Sequence, residues 1–507
     1  MEPLKQILKE LKSGKIKTAE QLNRRKRQLS RGVSEKIPEN AKIFELASGA
    51  LKEKVRKILQ IKPTRTISGV AVVAVMSRPA PCPHGKCTYC PHIDNVPESY
   101  TGKEPAARRG AANNYDAYKQ VQNRLQQLYA TGHLPEKVEL IVMGGTFPSQ
   151  PEDYQAEFVR GCILAMNNFP KDMPKTAQTL EKIQKANEKA KIRCVGITFE
   201  TRPDYATEKH ADLMLKLGGT RVELGVQTVY DDIYKTVNRG HTVADVIKAT
   251  KILKDRGFKV LYHMMLGLPG SSPERDIAAF REIFENSDFQ PDMLKIYPCL
   301  VIKGSELYLQ WKKGDYKPYN EETAINIIKE IKKFCPEWVR IMRIERDIPS
   351  TEIEAGIKST NLRQMLGKHE CQCIRCREVG HRMLKGISLH DESVRMDKVE
   401  YNASEAREVF LEFIDKHSTL LGFLRLRINS TDTALVRELH VYGEQVPIGK
   451  KGKVQHSGFG KKLLAEAERI AKQAGKKKIS VISGIGVRPY YKKQGYKFDR
   501  IYMSKRF

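Results

Sequence analysis

Residues 71–91 read AVVAVMSRPAPCPHGKCTYCP. The first six are apolar and rich in valine, the length and composition of a buried strand. The loop after them holds Cys82, Cys87 and Cys90, with four residues in the first gap and two in the second. A strand that hands reactive side chains to the loop after it is the unit of a parallel α/β barrel, whose chemistry gathers at the C-terminal strand ends. Five more apolar runs of strand length follow: VELIVMGG (138–145), IRCVGITFE (192–200), RVELGVQT (221–228), KVLYHMMLGLPG (259–270) and MLKIYPCLV (293–301). Amphipathic stretches such as YDAYKQVQNRLQQLYA (115–130) and HTVADVIKATKILKDRG (241–257) separate them. Buried runs alternating with helices imply a parallel sheet. The expected fold class is α/β, with residues 66–364 forming a partial (β/α)6 barrel.

Beyond residue 396 the pattern changes. VEYNA, EVFLEFID, TLLGFLRLRIN and ALVRELHVYG read as antiparallel strands, followed by the helix SGFGKKLLAEAERIAKQAG, the strand KKISVISGIG and a closing YKFDRIYM. This predicts an α+β module over 396–507, a common single-domain size. Residues 365–395 show little apolar periodicity and carry a second cysteine cluster, which marks a junction. Residues 1–65 read as short basic amphipathic helices with few residues for a core, either a solvated tail or an arm that folds onto RNA.

A chain of 507 residues exceeds one compact core. The longest apolar stretch, Val70–Met76, is far short of a membrane span, and the N-terminus MEPLKQILKELKSGK is charged throughout, without a signal-peptide core. A cytoplasmic protein with no membrane attachment is therefore expected. Of ten cysteines, six fall in two tight clusters and four (Cys162, Cys194, Cys299, Cys335) are scattered. In a reducing compartment that pattern means metal ligation rather than disulfides. The net charge is +29, from 89 Lys and Arg against 60 Asp and Glu. A Lys/Glu-rich thermophile surface raises both signs together, so an excess this large favours a polyanionic partner, most simply nucleic acid.

Three thiolates from Cys82, Cys87 and Cys90 can hold three irons of a 4Fe–4S cluster and leave the fourth open. The open iron can chelate the amino and carboxylate groups of S-adenosylmethionine, which is then cleaved reductively. Structural zinc is the alternative; it needs four closed ligands and would recruit His84 or His92. Gly144, Gly145 and Thr146 end the second run, where glycines let backbone carbonyls approach an ammonium group closely. Glu200-Thr201-Arg202-Pro203-Asp204 ends the third run and Glu223 to Thr228 forms the fourth; their order on successive strands supports the cofactor reading. Lys295 and Tyr297 face the reaction chamber in this reading, with packing the alternative for Tyr297.

In the C-terminal module, Gln455-His456-Ser457-Gly458-Phe459-Gly460 opens a helix, so backbone N–H groups and the helix dipole can cradle the pyrophosphate of coenzyme A. Cys371, Cys373 and Cys376 make a metal site, zinc by default, with His369, His381 or His440 as the fourth ligand. His440 is favoured, because a ligand from each side would clamp the two domains. Arg343 and Arg346 are candidate phosphate contacts.

The motifs CPHGKCTYCP, ESYTGKEP, KVELIVMGGTF, FETRPD, RVELGVQT, LKIYP, MRIERDIP, CREVG, RELHVYG, GFGKKLLAEAERIA and YYKKQGY span nearly the whole chain. Together they resemble the radical S-adenosylmethionine superfamily and, more closely, the Elongator catalytic-subunit family in its single-chain form. The first cysteine gap is one residue longer than the superfamily's CxxxCxxC. The resemblance implies that Gly144, Gly145, Thr146, Glu200 and Gln227 contact S-adenosylmethionine. It makes the C-terminal module GNAT-like, with Glu438, Leu439, His440 and Val441 along acyl-pantetheine and Gln455, Gly458, Phe459, Gly460 and Lys461 at the phosphates. Lys137 would reach acetyl-CoA from the barrel, Tyr491 would lie near the thioester, and Lys295, Tyr490 and Tyr491 would be catalytic.

The activity implied is tRNA wobble-uridine carboxymethylation. A 5′-deoxyadenosyl radical takes hydrogen from the methyl of acetyl-CoA, the carbon radical adds to carbon 5 of uridine, and thioester hydrolysis follows. Basic surface would grip the anticodon arm of a tRNA whose wobble base is splayed out. An electron donor is required, and a homodimer or Elongator-like partners stay open. The rival reading is a protein lysine acetyltransferase with a structural iron–sulfur domain, using Glu438 as base. A non-catalytic RNA scaffold would explain the charge but neither cofactor loop.

Overall fold

The computed structural model describes residues 2–30, 39–62, 65–173, 176–387, 393–443 and 458–507. Each apolar run becomes a strand: β1 (Ala71–Met76), β2 (Lys137–Met143), β3 (Arg193–Thr201), β4 (Arg221–Gln227), β5 (Lys259–Leu266) and β6 (Met293–Pro298). They pair in sequence order and all in parallel. Valines, leucines and isoleucines of the strands bury together with the helices that cover the sheet, as a two-sided parallel sheet requires.

The strand Val301–Ile302 (β7) pairs with Ile353–Ala355 (β9), while Arg340–Arg343 (β8) lies parallel to β6 and adds a seventh strand to the six expected. In β8 only Ile341 is fully buried, between half-buried neighbours, so no apolar run announces it. The half-barrel stays open, since β1 and β8 do not pair.

The N-terminal helices Glu2–Ser13, Ala19–Leu29, Asn40–Leu46 and Gly49–Leu59 do share a core, contrary to expectation. Each brings few apolar residues, but Ile7, Leu11, Leu22, Ile43, Phe44, Val55 and Leu59 converge on one another. The bundle is tied to the barrel where Ile61 N–H donates to Thr131 O and His133 meets Ile61 O at 2.9 Å. Among the described residues no helix is long and apolar enough to cross a membrane.

The C-terminal module opens as an antiparallel meander of β10 (Arg395–Ala403), β11 (Ala406–Ile414), β12 (Leu420–Ile428) and β13 (Thr433–Val441). Helix Phe459–Gln473 leads to β14 (Lys478–Val481), which runs parallel to β13, and β15 (Lys497–Asp499) with β16 (Tyr502–Arg506) closes the sheet. The junction packs against both domains. Cys373 enters the barrel core, and Ile374 and Val379 bury with Phe410, Phe423 and Tyr442.

One irregularity joins the halves. Arg425 pairs with Glu438 and Leu426 with Val436, so Arg437 is an extra residue in β13. Its side chain is fully buried in the domain seam and forks onto Asp292 at 2.6 and 2.7 Å, onto Glu408 at 2.9 Å and onto Phe258 O at 2.9 Å. Asp292 immediately precedes β6 and also accepts from Val260 N–H at 2.8 Å. Arg425 adds Glu438 at 2.9 Å, and Arg427 adds Asp255 at 2.6 Å and Glu408 at 3.0 Å. Charges this buried persist only because each finds partners.

Removing one of them leaves the others uncompensated. Arg437→Met should therefore destabilise the protein by roughly 3–5 kcal/mol in chemical denaturation. A wild-type unfolding midpoint would mean that the seam does not hold the halves together.

Candidate active site

At the C-terminal ends of the barrel strands lies a cavity of about 140 Å³. Cys82 and Cys90 line it together with Gly145, Thr146, Glu200, Gln227 and Lys295, so the structure brings those predicted residues to one place. Cys87 is buried beneath, 3.1 Å from His84 Nε2 and 3.5 Å from Arg239 Nη1. A hydrogen bond from Cys90, with the charge of Arg239 and the bond to His84, outweighs burial and lowers the Cys87 thiol to about 3. Cys87 is thus poised as a thiolate, the form that ligates metal.

Gly144 has φ +128°, and a Cβ there would meet Ser77 Oγ at 2.2 Å, so the close turn under the cavity needs glycine. Gln227 sits at φ +76° without being glycine, a strained backbone of the kind that clusters at ligand sites. The hydroxyls of Ser77 and Tyr89 are buried without partners among the described residues. Three thiols on one loop, a glycine cradle and orphaned polar atoms fit an iron–sulfur cluster with S-adenosylmethionine. A lone zinc fits less well: the thiols of this loop do not form a set of ligand atoms within 4.8 Å of one another, whereas Cys371, Cys373 and Cys376 do.

The cavity floor is a buried ionic network. Lys295 Nζ pairs with Glu223 and, at 3.3 Å, with Glu200, which accepts from Tyr100 Oη at 3.1 Å. His263 Nε2 lies 2.8 Å from Glu223, and Arg221 links Glu223 to Glu139, the latter at 2.6 Å. Tyr297 meets His263 edge-on at 5.5 Å. Burial alone would discharge Lys295, but Glu223, Tyr297 and Glu200 overcome it and raise its pKa. Burial likewise opposes the charge of Glu223, and Lys295 and His263 hold its carboxyl well below the usual range. Lys295 is therefore a fixed ammonium rather than a base. Arg343 and Arg346 line the same cavity, the first on Asp347 at 2.7 Å and the second on Ser99 O.

On the other side of the seam, β14 pairs only with Thr433–Val436 of β13, so the backbone of Glu438, Leu439, His440 and Val441 has no strand beside it there among the described residues. Such a splayed edge suits an extended amide chain like pantetheine. Gly458 has φ +97° at the start of helix Phe459–Gln473, and a Cβ on Gly460 would sit 2.9 Å from Tyr490 Oη. Tyr490 Oη and His440 Nε2 are both buried without partners among the described residues, Tyr490 beside Gly460 at the start of the helix. Lys461 is exposed in the first helical turn, and Tyr491 packs in the domain core, edge-on to Tyr490 at 5.2 Å. Lys137 begins β2 at the seam, its pKa lowered by burial. Gln455 lies outside the described residues.

Burial opposes ionisation of Glu438, yet Lys259 and Arg425 outweigh it and keep its carboxyl below the ordinary range. It is pinned as a carboxylate and makes a poor base.

The second thiol set is placed differently from expectation. Lys332 Nζ, itself buried, lies 3.2 Å from Cys371 and 3.6 Å from Cys376, and the buried Cys335 lies near enough to help raise the Cys371 thiol. His440 is elsewhere, tilted against Tyr442 at 4.3 Å and parallel to Phe423 at 6.2 Å. It lies on the face of β13 opposite Leu439 and Val441, which pack with Phe459 and Tyr490. His369 bonds Gly367 O and His381 faces Glu378, so neither joins the thiols. Sequence reasoning gives no role to Tyr100, His263, Lys332 or Cys335. A usable signal is present for part of this network: Glu223, His263 and Lys295 are ionisable residues flanked by apolar ones inside three consecutive apolar strands.

Residues 80–282 match the model of the Radical SAM superfamily, 291–370 that of the Radical_SAM C-terminal domain and 382–496 that of the acetyltransferase (GNAT) family. The last begins earlier than the boundary expected at 396. The tRNA uridine(34) acetyltransferase of Methanocaldococcus jannaschii is 52% identical over 493 residues, covering 92% of this chain and 90% of that protein. Elongator complex protein 3 of Saccharomyces cerevisiae is 43% identical over 480 residues, covering 88% of this chain and 85% of that protein. The solved structure of archaeal Methanocaldococcus infernus Elp3, lacking its N-terminus, superposes with a TM-score of 0.77 at 48% identity, covering 87% of this chain and all of the other.

Strain and overlap at Gly144 carry a direct prediction. Gly144→Ala should weaken S-adenosylmethionine binding by about tenfold or more, since backbone strain of this kind costs roughly 1–3 kcal/mol. Equilibrium binding to the reconstituted protein, with folding checked by circular dichroism, reads this out; unchanged affinity would remove the cradle's role.

Proposed function

The chain belongs to the family of tRNA uridine(34) acetyltransferases and Elongator complex protein 3, and on that footing we propose that it carboxymethylates the wobble uridine of tRNA with acetyl-CoA. It is an enzyme with a radical SAM domain and a GNAT acetyltransferase domain. The observation that carries the reading is the Arg437–Asp292 clamp. It fastens β13, which borders the acyl cleft, to the start of β6, which carries Lys295, and so ties the two clefts to each other.

A cluster on Cys82, Cys87 and Cys90 with S-adenosylmethionine on its open iron supplies, when bound, the means to abstract hydrogen from an unactivated methyl group. The chain's own residues do the rest. Gly144, Gly145, Thr146, Glu200 and Gln227 hold the S-adenosylmethionine side of the cavity. Lys295 presents a fixed cation to the uracil carbonyls, where such preorganised charge is worth most. Tyr297, held against His263, bounds the base. On the acyl side the free edge of β13 binds pantetheine, the start of helix Phe459–Gln473 takes the phosphates, and Tyr490 donates its unpartnered hydroxyl to the acyl group. Lys137 approaches from the barrel.

The N-terminal bundle, with Arg24, Arg27 and Lys42 exposed, grips the anticodon arm through phosphates. Cys371, Cys373 and Cys376 would hold a zinc ion, with Cys335 rather than His440 as the nearby fourth thiol and Lys332 offsetting their charge. An external reductant delivers electrons, and ten unpaired cysteines suit a reducing cytoplasm. The protein lysine acetyltransferase reading is disfavoured by Glu438, since a carboxylate pinned by Arg425 takes a proton from an amine poorly.

The test is anaerobic turnover of unmodified tRNA with dithionite, S-adenosylmethionine and acetyl-CoA, followed by nucleoside mass spectrometry. A carboxymethyl group on the wobble uridine is expected, abolished in Cys87→Ala and cut at least about tenfold in Lys295→Met, the loss of one charge-assisted bond. Intact uridine beside acetylated protein lysines would contradict the reading.

A further inference from the structure

The turn Val237–His241, between helices Asp231–Thr236 and Val243–Asp255, lies along the cysteine loop. Thr88 N–H donates to Val237 O at 3.1 Å, and Asn238 Nδ2 donates to Lys86 O at 2.7 Å. Gly240 has φ +73°, and a Cβ there would lie 2.7 Å from that of His84, so only glycine lets the two segments touch. Between these contacts Arg239 is aimed at the loop's centre. Nη1 reaches Cys87 Sγ at 3.5 Å and Nη2 reaches Gly225 O, on β4, at 2.5 Å.

The aim is enforced from behind. Arg239 O accepts from Arg202 Nη1 at 2.7 Å, and Arg202 is itself forked onto Asp204 at 2.8 and 2.9 Å. This gives the Glu200–Asp204 motif a task beyond the cofactor cavity. Arg239 is only 7% exposed, and among the described residues no carboxylate pairs with it. An arginine so buried needs a negative partner, because an uncompensated buried charge is among the costliest features a fold can carry. Among the described residues, the side chain it reaches on the cysteine loop is Cys87, whose sulfur is an anion when it ligates metal. The neighbouring His241 offers no charge, since burial and the guanidinium of Arg239 keep it neutral.

We propose that Arg239 is the built-in counter-cation of the cysteine-loop cluster and raises its reduction potential. This rests on the assignment of Cys82, Cys87 and Cys90 as cluster ligands. Reduction places one electron, from an external donor, on a core already carrying three thiolates. A fixed guanidinium donating to one of those sulfurs stabilises the more negative state, and hydrogen bonds and net charge are the levers that set such potentials. No proton need move, since Arg239 carries its charge throughout.

The full-length protein, reconstituted anaerobically without S-adenosylmethionine, would be titrated against dithionite while electron paramagnetic resonance reads the reduced cluster. Arg239→Met should lower the ratio of reduced to oxidised cluster about tenfold at the wild-type midpoint, a shift of about 59 mV for a one-electron couple. Gly225→Ala keeps the charge but places a Cβ 2.6 Å from Nη2, displacing the fork, and should shift the midpoint the same way by less. An assembled Arg239→Met cluster with the wild-type midpoint would overturn the proposal. So would failure of both variants to hold a cluster, which would make Arg239 a scaffold residue. Wild-type protein without a reducible cluster would instead sink the cysteine assignment, and it needs no variant to be seen.

Discussion

The fork of Arg437 onto Asp292 and Glu408 is the contact on which the rest of the molecule depends. It joins an extra residue in the acyl-side strand to the carboxylate that opens the stretch Asp292-Met293-Leu294-Lys295, and so to the cation of the cavity floor. These side chains are buried from solvent, so their attraction is strong and their directionality strict. A hydrophobic seam of the same area would allow sliding. A forked ion pair fixes register, and register decides whether an acyl methyl in one cleft faces a base in the other.

Charge placement on the two sides of this seam explains what the site is suited to do. Lys295, between Glu223 and Glu200, stays an ammonium. Glu438, between Arg425 and Lys259, stays a carboxylate. Neither is free to exchange a proton readily near neutral pH, which is what ordinary acetyl transfer to an amine demands of a base. Rigid charges suit positioning instead. A reaction whose difficult step is carried by a cofactor asks the protein mainly to hold two substrates in line and to exclude water.

The barrel strands are legible in the sequence because burial on both faces writes itself as unbroken apolar runs, and the cofactor loops because closely spaced cysteines, glycines and charges follow in order at the ends of successive strands. β8 is not, since Ile341 is its one fully buried residue and the arginines around it resemble a surface loop. The N-terminal core escapes notice for a related reason: no single helix carries enough apolar residues, and only their convergence makes Ile43 and Phe44 interior. His440 misleads as a ligand for the thiol cluster because spacing cannot tell which face of a strand meets which neighbour. Its ring meets Phe423 and Tyr442 instead. Cys335, far from the trio in sequence, has no local signal at all.

The central claim is that the two clefts act on one substrate methyl group. The measurement that addresses it most directly is turnover with methyl-deuterated acetyl-CoA and unmodified tRNA, reading the isotope content of the 5′-deoxyadenosine formed. The account predicts deuterium in 5′-deoxyadenosine in proportion to modified uridine. Modified uridine formed alongside 5′-deoxyadenosine that contains no deuterium would contradict it.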